Sequence, residues 1–196
     1  MTTPQEVLAF WIDEVGPTGW FKSDEAIDAK IRENFLPIWT EASEGGLGFW
    51  LTCPSETLAY VILLDQFSRN MFRGSGEAFA MDEHARAAAK MAIDRRWDLR
   101  IDEPARLFFY MPLTHSENLC DQDRAVRLIH TRMPQGGANS INDAQAHREI
   151  IRQFGRFPYR NAALKRQMKP AEQAFIDAGG YGKVLREIKS QRQVSA

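Results

Sequence analysis

The stretch LLDQFSRNMF, residues 63–72, sets Asp65, Gln66, Arg69 and Asn70 into an otherwise apolar segment. Read as a helix, it places Asp65 four residues from Arg69 and Gln66 four from Asn70, so each pair meets on one face. The helix is apolar on nearly every side, through Leu58, Val61, Ile62, Leu63, Leu64, Phe67, Met71 and Phe72, and is expected to be buried. Four polar side chains in such a place need partners, since an unpaired buried polar group costs about 1–3 kcal/mol and a charge costs more. They either hold the core in register or line a ligand site.

A second stretch, FGRFPYRN at 154–161, projects Arg156 and Arg160 from a short loop between aromatic residues. Gly155 frees the chain to turn, Pro158 fixes the next bend, and Asn161 is placed to cap a following helix whose first amides attract anions. Two guanidinium forks there suit a carboxylate or phosphate. The structural alternative is that they pair with acidic residues from the first 147.

A third stretch, PLTHSENL at 112–119, carries His115 and Glu117, and His147 falls on the apolar side of a later helix. Either histidine can act as general acid or base, because imidazole titrates near neutrality, with Glu117 or Asp65 to orient it. His115, Glu117 and His147 are ligand types for a metal, but no HExxH or comparable spacing joins them, and no metal is expected. There is no GxSxG, GxGxxG or Walker loop, so neither a nucleophile elbow nor a nucleotide cofactor has support, and no cofactor is expected.

The elements that must position these residues read as helices. Thr3-Pro4-Gln5-Glu6 is a capping box, Ser23 caps a long amphipathic run that Pro37 should kink, and Pro54 opens the segment holding the polar quartet. An alanine-rich helix follows from about Asp82 to Arg96, and Asp102-Glu103-Pro104 begins another. Ser116 reads as the cap of the next helix, Ser140 and Asp143 as caps of the one carrying His147, and Gly155 as its C-terminal stop. Asn161 and Pro170 should open two short helices, with a basic C-terminal tail from about 182. No alternating strand pattern of useful length occurs. The expectation is an all-α protein of about eight or nine antiparallel helices, in a single domain over 1–196.

Composition bounds the function. With 44% hydrophobic and 26% charged residues the chain is that of a soluble globular protein. Its N-terminus lacks a basic leader and its longest apolar run, LAYVILL, is too short for a bilayer, so a cytoplasmic, membrane-free protein is expected. Cys53 and Cys120 lack metal or redox spacing and read as reduced thiols. Residues 1–147 carry 14 Lys or Arg against 22 Asp or Glu, whereas 148–196 carry 11 against 4. The basic end either attracts an anionic partner or packs on the acidic body, and without a block of consecutive basic residues no nucleic-acid partner is expected.

The ordered motifs VLAFW, GWF, LLDQFSRNMFRG, FFYMPLTHSENL, AHREIIRQFGRFPYRN and PAEQAFIDAGG, spanning about residues 7–182, resemble a bacterial family of unknown function whose folds are similar to tetratricopeptide-like helical arrays. The resemblance implies a tetratricopeptide-like stack, although no 34-residue repeat is visible. It also sets Asp65, Gln66, Arg69, Asn70, His115, Glu117, His147, Arg156, Arg160 and Asn161 on family motif positions. The chain departs from that pattern at Ser68, where proline is usual, and at Tyr159, where histidine is common. Two functions follow as expectations. The first is a module binding a small anionic ligand or peptide carboxylate through Arg69, Arg156 and Arg160, oriented by Gln66, Asn70 and Asn161. The second is an enzyme using His115 or His147 on an acidic substrate. The three polar stretches are expected to meet at one pocket.

Overall fold

A computed structural model describes residues 2–194, with side chains to 191. Among these residues every regular element is helical. The chain divides into two compact units, residues 1–112 and 113–196.

The first unit comprises α1 (Pro4–Leu8), continued by a π-helical stretch over Ala9–Val15, then α2 (Gly16–Gly19), α3 (Glu25–Ser43), α4 (Pro54–Val61), a second π-helical stretch over Ile62–Phe67, α5 (Ser68–Met71) and α6 (Asp82–Asp94). The short α7 (Met111–Thr114) spans the boundary. The capping box forms, with Glu6 accepting from the Thr3 amide at 2.7 Å. Asp24 rather than Ser23 caps α3, its Oδ1 accepting from the amides of Ala26 and Ile27. Pro37 lies inside α3 without ending it, held by a face on which Ile31, Phe35, Ile38 and Ala42 are buried.

The segment from Leu58 to Leu64 is almost wholly buried, as its all-round apolarity requires. Phe67 is the hub of an aromatic cluster, with ring centroids 4.9 Å from Phe35, 5.4 Å from Trp11 and 6.0 Å from Phe10. The edge-on geometry of the latter two contacts matches the ring quadrupoles. Ala85, Ala88, Ala89 and Ala92 are buried where α6 packs on α4, their small side chains permitting close approach.

The second unit comprises α8 (Leu119–Arg132), α9 (Gly137–Phe154), α10 (Pro170–Asp177) and α11 (Gly180–Val194). Here α9 is central, packed by α8 and α11. Its Ala146, Ile150 and Ile151 form a core with Phe157 and Val184, flanked by Phe154, Phe175, Tyr181, Leu185 and Ile188. The basic segment expected as a tail is therefore the helix α11, because Tyr181, Val184, Leu185 and Ile188 recur at helical spacing and need an apolar partner.

Three expected caps shift. Asn118 caps α8, its Oδ1 accepting from Cys120 and Asp121, while Ser116 Oγ donates to Asp121. The helix α9 starts at Gly137, so Ser140 and Asp143 lie within it. No helix opens at Asn161, where a turn follows a 3₁₀ segment over Pro158–Arg160. Gly155 does end α9, at φ 69° with its amide bonded to Ile151 O at 2.8 Å, a left-handed conformation that favours glycine.

Phe67→Ala is expected to destabilise the protein by about 3–5 kcal/mol through loss of a fully buried ring at the centre of this cluster. Chemical denaturation would show it, and a loss below about 1 kcal/mol would mean that the cluster collapses around the cavity.

Candidate functional site

In the first unit the polar quartet is engaged by its own unit. Asp65 is 1% exposed, and its carboxylate accepts from Gln66 Nε2 and lies 3.2 Å from Arg69 Nη1. Arg69 also bonds the Asp65 carbonyl at 2.6 Å and reaches Asp82, at the start of α6, at 3.0 Å. Asn70 Nδ2 donates to Asp28 on α3 at 2.7 Å, and Arg73 grips the same carboxylate with two nitrogens at 2.7 and 2.8 Å. Burial by itself would raise the Asp28 pKa, but the hydrogen bonds from Arg73 and Asn70 outweigh it and hold the carboxyl below its usual range. The expected Asp65–Arg69 pairing is present. Gln66 and Asn70 instead bond different carboxylates, Asp65 and Asp28, each of which accepts from the amide group in place of the other amide side chain.

The other two stretches meet in the second unit. Glu117 accepts from the Phe157 amide at 2.8 Å and takes both terminal nitrogens of Arg166, at 2.7 and 3.0 Å. Arg160 donates to the His115 carbonyl at 3.0 Å. Gln122 of α8 donates to the carbonyls of Thr114 and Ser116, both at 2.7 Å, which pins the turn that displays His115. Burial pushes the Glu117 pKa up, but the hydrogen bonds from Arg166 and Phe157 and the charges of Arg166 and Arg160 bring it below the ordinary value.

Behind the loop, Arg156 forms a fork with Glu172 at 2.6 and 2.8 Å and donates to Gln167 O. Glu172 is 2% exposed and also accepts from Asn161 Nδ2 and the Lys169 amide. Its carboxyl is held down to about 2 by the Arg156 hydrogen bond, against the raising effect of burial and with further help from Lys169, the Arg156 charge and Asn161. Arg156 thus pairs with an acidic residue of the basic end itself. Asn161 bonds Arg166 Nε through its oxygen and Glu172 through its amide, so it joins two ion pairs where a helix cap was expected.

Beside this frame five rings converge. The His147 centroid is 6.2 Å from His115, 5.4 Å from Phe157 and 5.0 Å from Tyr181, and Tyr159 stacks on Phe157 at 5.3 Å. His147 Nδ1 lies 2.8 Å from the Asp143 carbonyl oxygen. A carbonyl only accepts, so Nδ1 carries the proton and the lone pair of neutral His147 sits on Nε2. Tyr181 donates its hydroxyl to Asp143 Oδ1. Burial, then the hydrogen bond to Asp143, its charge and the nearby Tyr159 raise the Tyr181 pKa far above the phenol range. His115, His147 and Tyr181 are partly exposed and Tyr159 is 40% exposed. Among the described residues no three His, Cys, Asp or Glu side chains are grouped to hold a metal ion.

Residues 7–180 match the model of a family described as bacterial proteins of unknown function (DUF924). The chain belongs to this family. It is also similar to a solved structure, the protein of unknown function ATU0120 from Agrobacterium tumefaciens, at 36% identity over 89% of this chain and 97% of that one, with a TM-score of 0.84. No curated protein matches it. PLTHSENL and FGRFPYRN, the two stretches joined by the Glu117–Phe157 and Arg160–His115 hydrogen bonds, both lie within the matched residues.

The expected single pocket grouped Asp65, Gln66, Arg69 and Asn70 with the other two stretches; within the second unit the structure links His115, Glu117, His147, Arg156, Arg160 and Asn161 through hydrogen bonds and ring contacts. Asp28, Arg73, Arg166, Glu172 and Tyr181 were not anticipated in these networks, and Asp143 was anticipated only as a helix cap. Asp143 was legible in part, since it stands four residues before His147 on the same helix.

The depressed carboxyls carry a pH dependence. Glu172 at about 2 binds fewer protons than in the unfolded chain, whose value is near 4.5, so its contribution is complete above 4.5 and is lost as pH falls towards 2. Stability measured by urea midpoint should fall across that window, with a shallower slope in Glu172→Gln. Identical slopes in the two proteins would mean that Glu172 is not held ionised.

Proposed function

We propose that this protein binds a small anionic ligand on its second unit, at the partly exposed patch of His115, His147, Tyr159 and Tyr181. The observation that carries this reading is the convergence of two imidazoles and two phenols on a frame whose arginines are already paired. Charge supports it: residues 113–196 hold 14 Lys or Arg against 8 Asp or Glu, and residues 1–112 hold 11 against 18. An anion is therefore drawn to the second unit, where the buried Arg160 is bonded to the His115 carbonyl and adds to the positive field. In this reading His115, His147 and Arg160 serve the ligand, and Asp65, Gln66, Arg69, Asn70, Arg156 and Asn161 serve as framework.

The four-residue link between α8 and α9 favours antiparallel neighbours, which accords with a tetratricopeptide-like stack. Free Cys53 and Cys120 accord with a cytoplasmic address, and among the described residues no helix is long and apolar enough to cross a membrane.

A second reading, an acid–base enzyme, is favoured by one observation, the fixed tautomer that leaves the lone pair of neutral His147 on Nε2. On that reading His147→Gln would abolish turnover, leave binding intact, and remove one limb of a bell-shaped pH profile.

Thermal unfolding against phosphorylated and carboxylated metabolites tests the proposal. A ligand at 100 times its dissociation constant adds about 2.7 kcal/mol, or roughly 5–10 °C for a chain of this size. That ligand-induced rise should vanish in the His115→Ala/His147→Ala double variant and persist in Arg69→Lys. A rise that is unchanged in the double variant, or no rise with any anion, would overturn it.

A further inference from the structure

The first unit holds a cleft of about 320 Å³ between the π-helical stretch over Ala9–Val15 and the start of α3, a volume at the lower end of those that take small ligands. Phe10 and Val15 of the π-helical stretch and Ile27, in the first turn of α3, give it an apolar wall. Such π-helical turns are rare and recur at functional sites. Gly19 borders the same space, and a Cβ there would stand 2.8 Å from Val15 Cγ1 and 3.6 Å from Ile27 Cδ1, so a glycine is what lets α2 lie against both wall residues. The polar groups around the wall are not equivalent. Glu14 is paired with Lys30 at 2.8 Å. Asp24 caps α3, its Oδ1 accepting from the amides of Ala26 and Ile27 at 2.9 and 3.2 Å, where the positive end of the helix dipole offsets its charge. Lys22 and Thr18 also line the cleft, both are exposed, and neither side chain has a hydrogen-bond or ion-pair partner among the described residues. The donors left for a ligand are therefore one ammonium and one hydroxyl beside an apolar wall.

We propose that this cleft binds a small monocarboxylate with an apolar body, its carboxylate on Lys22 and Thr18 and its carbons against Phe10, Val15 and Ile27. The site lies wholly on the first unit and depends on nothing in the reading of the second. A carboxylate accepts from an ammonium and a hydroxyl at once, and each methylene removed from water along the wall adds to affinity. A single charge is favoured, because residues 1–112 carry 18 Asp or Glu against 11 Lys or Arg and their field opposes a second negative charge.

Amide NMR titration of the full chain with hexanoate, adipate, acetate and hexylamine tests this. Hexanoate should shift the amides of Thr18, Gly19, Ala26 and Ile27. It should bind at least about tenfold more tightly than acetate, which lacks the apolar body, and more tightly than adipate, which has the same six carbons and a second charge. Lys22→Glu alters an exposed residue outside the helices and leaves the wall intact. In that variant hexylamine should bind more tightly than hexanoate, the reverse of the wild-type order. The His115→Ala/His147→Ala variant should bind hexanoate as the wild type does. Equal affinity for all four probes, hexanoate shifts confined to residues outside the cleft, an unchanged order in Lys22→Glu, or loss of hexanoate binding in the double histidine variant would each overturn the proposal.

Discussion

The carboxylate of Glu117 is the joint on which the second unit depends. One half-buried side chain satisfies the amide that opens the FGRFPYRN loop and both terminal nitrogens of an arginine 49 residues away. A backbone amide at the start of a non-helical turn has no partner in its own segment, so the loop requires an acceptor from elsewhere. Glu117 supplies it only if the PLTHSEN turn approaches closely, and that approach puts His115 beside His147. Arg166 then offsets the cost of withdrawing the carboxylate from water, since an ion pair with several hydrogen bonds tolerates burial where a lone charge does not.

Both units use the same construction. Asp28 with Arg73 and Asn70, and Glu172 with Arg156 and Asn161, each join a carboxylate to an arginine fork and an asparagine amide. Guanidinium presents its donors in a rigid plane, so such a pair fixes orientation as well as distance, which a lysine at the same position would not do. The fork fills two acceptor positions on the carboxylate and asparagine takes a third. Near saturation of the acceptors is what makes a largely buried carboxylate tolerable, and it also explains why both groups have pKa values below the ordinary carboxylate range, Glu172 the more so.

The helical class, the buried segment at 58–67 and the glycine stop at Gly155 were legible because each follows from a local pattern: periodicity, all-round apolarity, or a residue that tolerates left-handed backbone. The caps at Asn118 and Asp24 were each missed by one or two residues, because neighbouring Ser, Asp and Asn side chains compete for the same amides and the local sequence does not rank them. The Gln66–Asn70 pairing failed for a different reason: carboxylates, the stronger acceptors, stand within reach of both amides, and the one that Asn70 finds, Asp28, is 42 residues away on another helix. Partners such as Arg166, Glu172 and Tyr181 were not readable, since they are brought to the site by how α9, α10 and α11 pack rather than by spacing.

The commitment of the arginines bears directly on what the second unit can recognise. An anion seeking Arg156 or Arg166 would have to displace Glu172 or Glu117, leaving a carboxylate in poor surroundings with fewer hydrogen bonds, and the cost of an orphaned buried charge exceeds what one surface ion pair returns. The imidazoles and phenols around His147 are partly exposed, and contact with them displaces neither Glu172 from Arg156 nor Glu117 from Arg166. On the proposed reading, recognition there would combine a long-range attraction, set by the excess of basic residues in the unit, with short-range selection by uncharged rings. Such a division would give a ligand of the proposed kind a reason to approach from the field and a reason to stay from the shape and polarity of the patch.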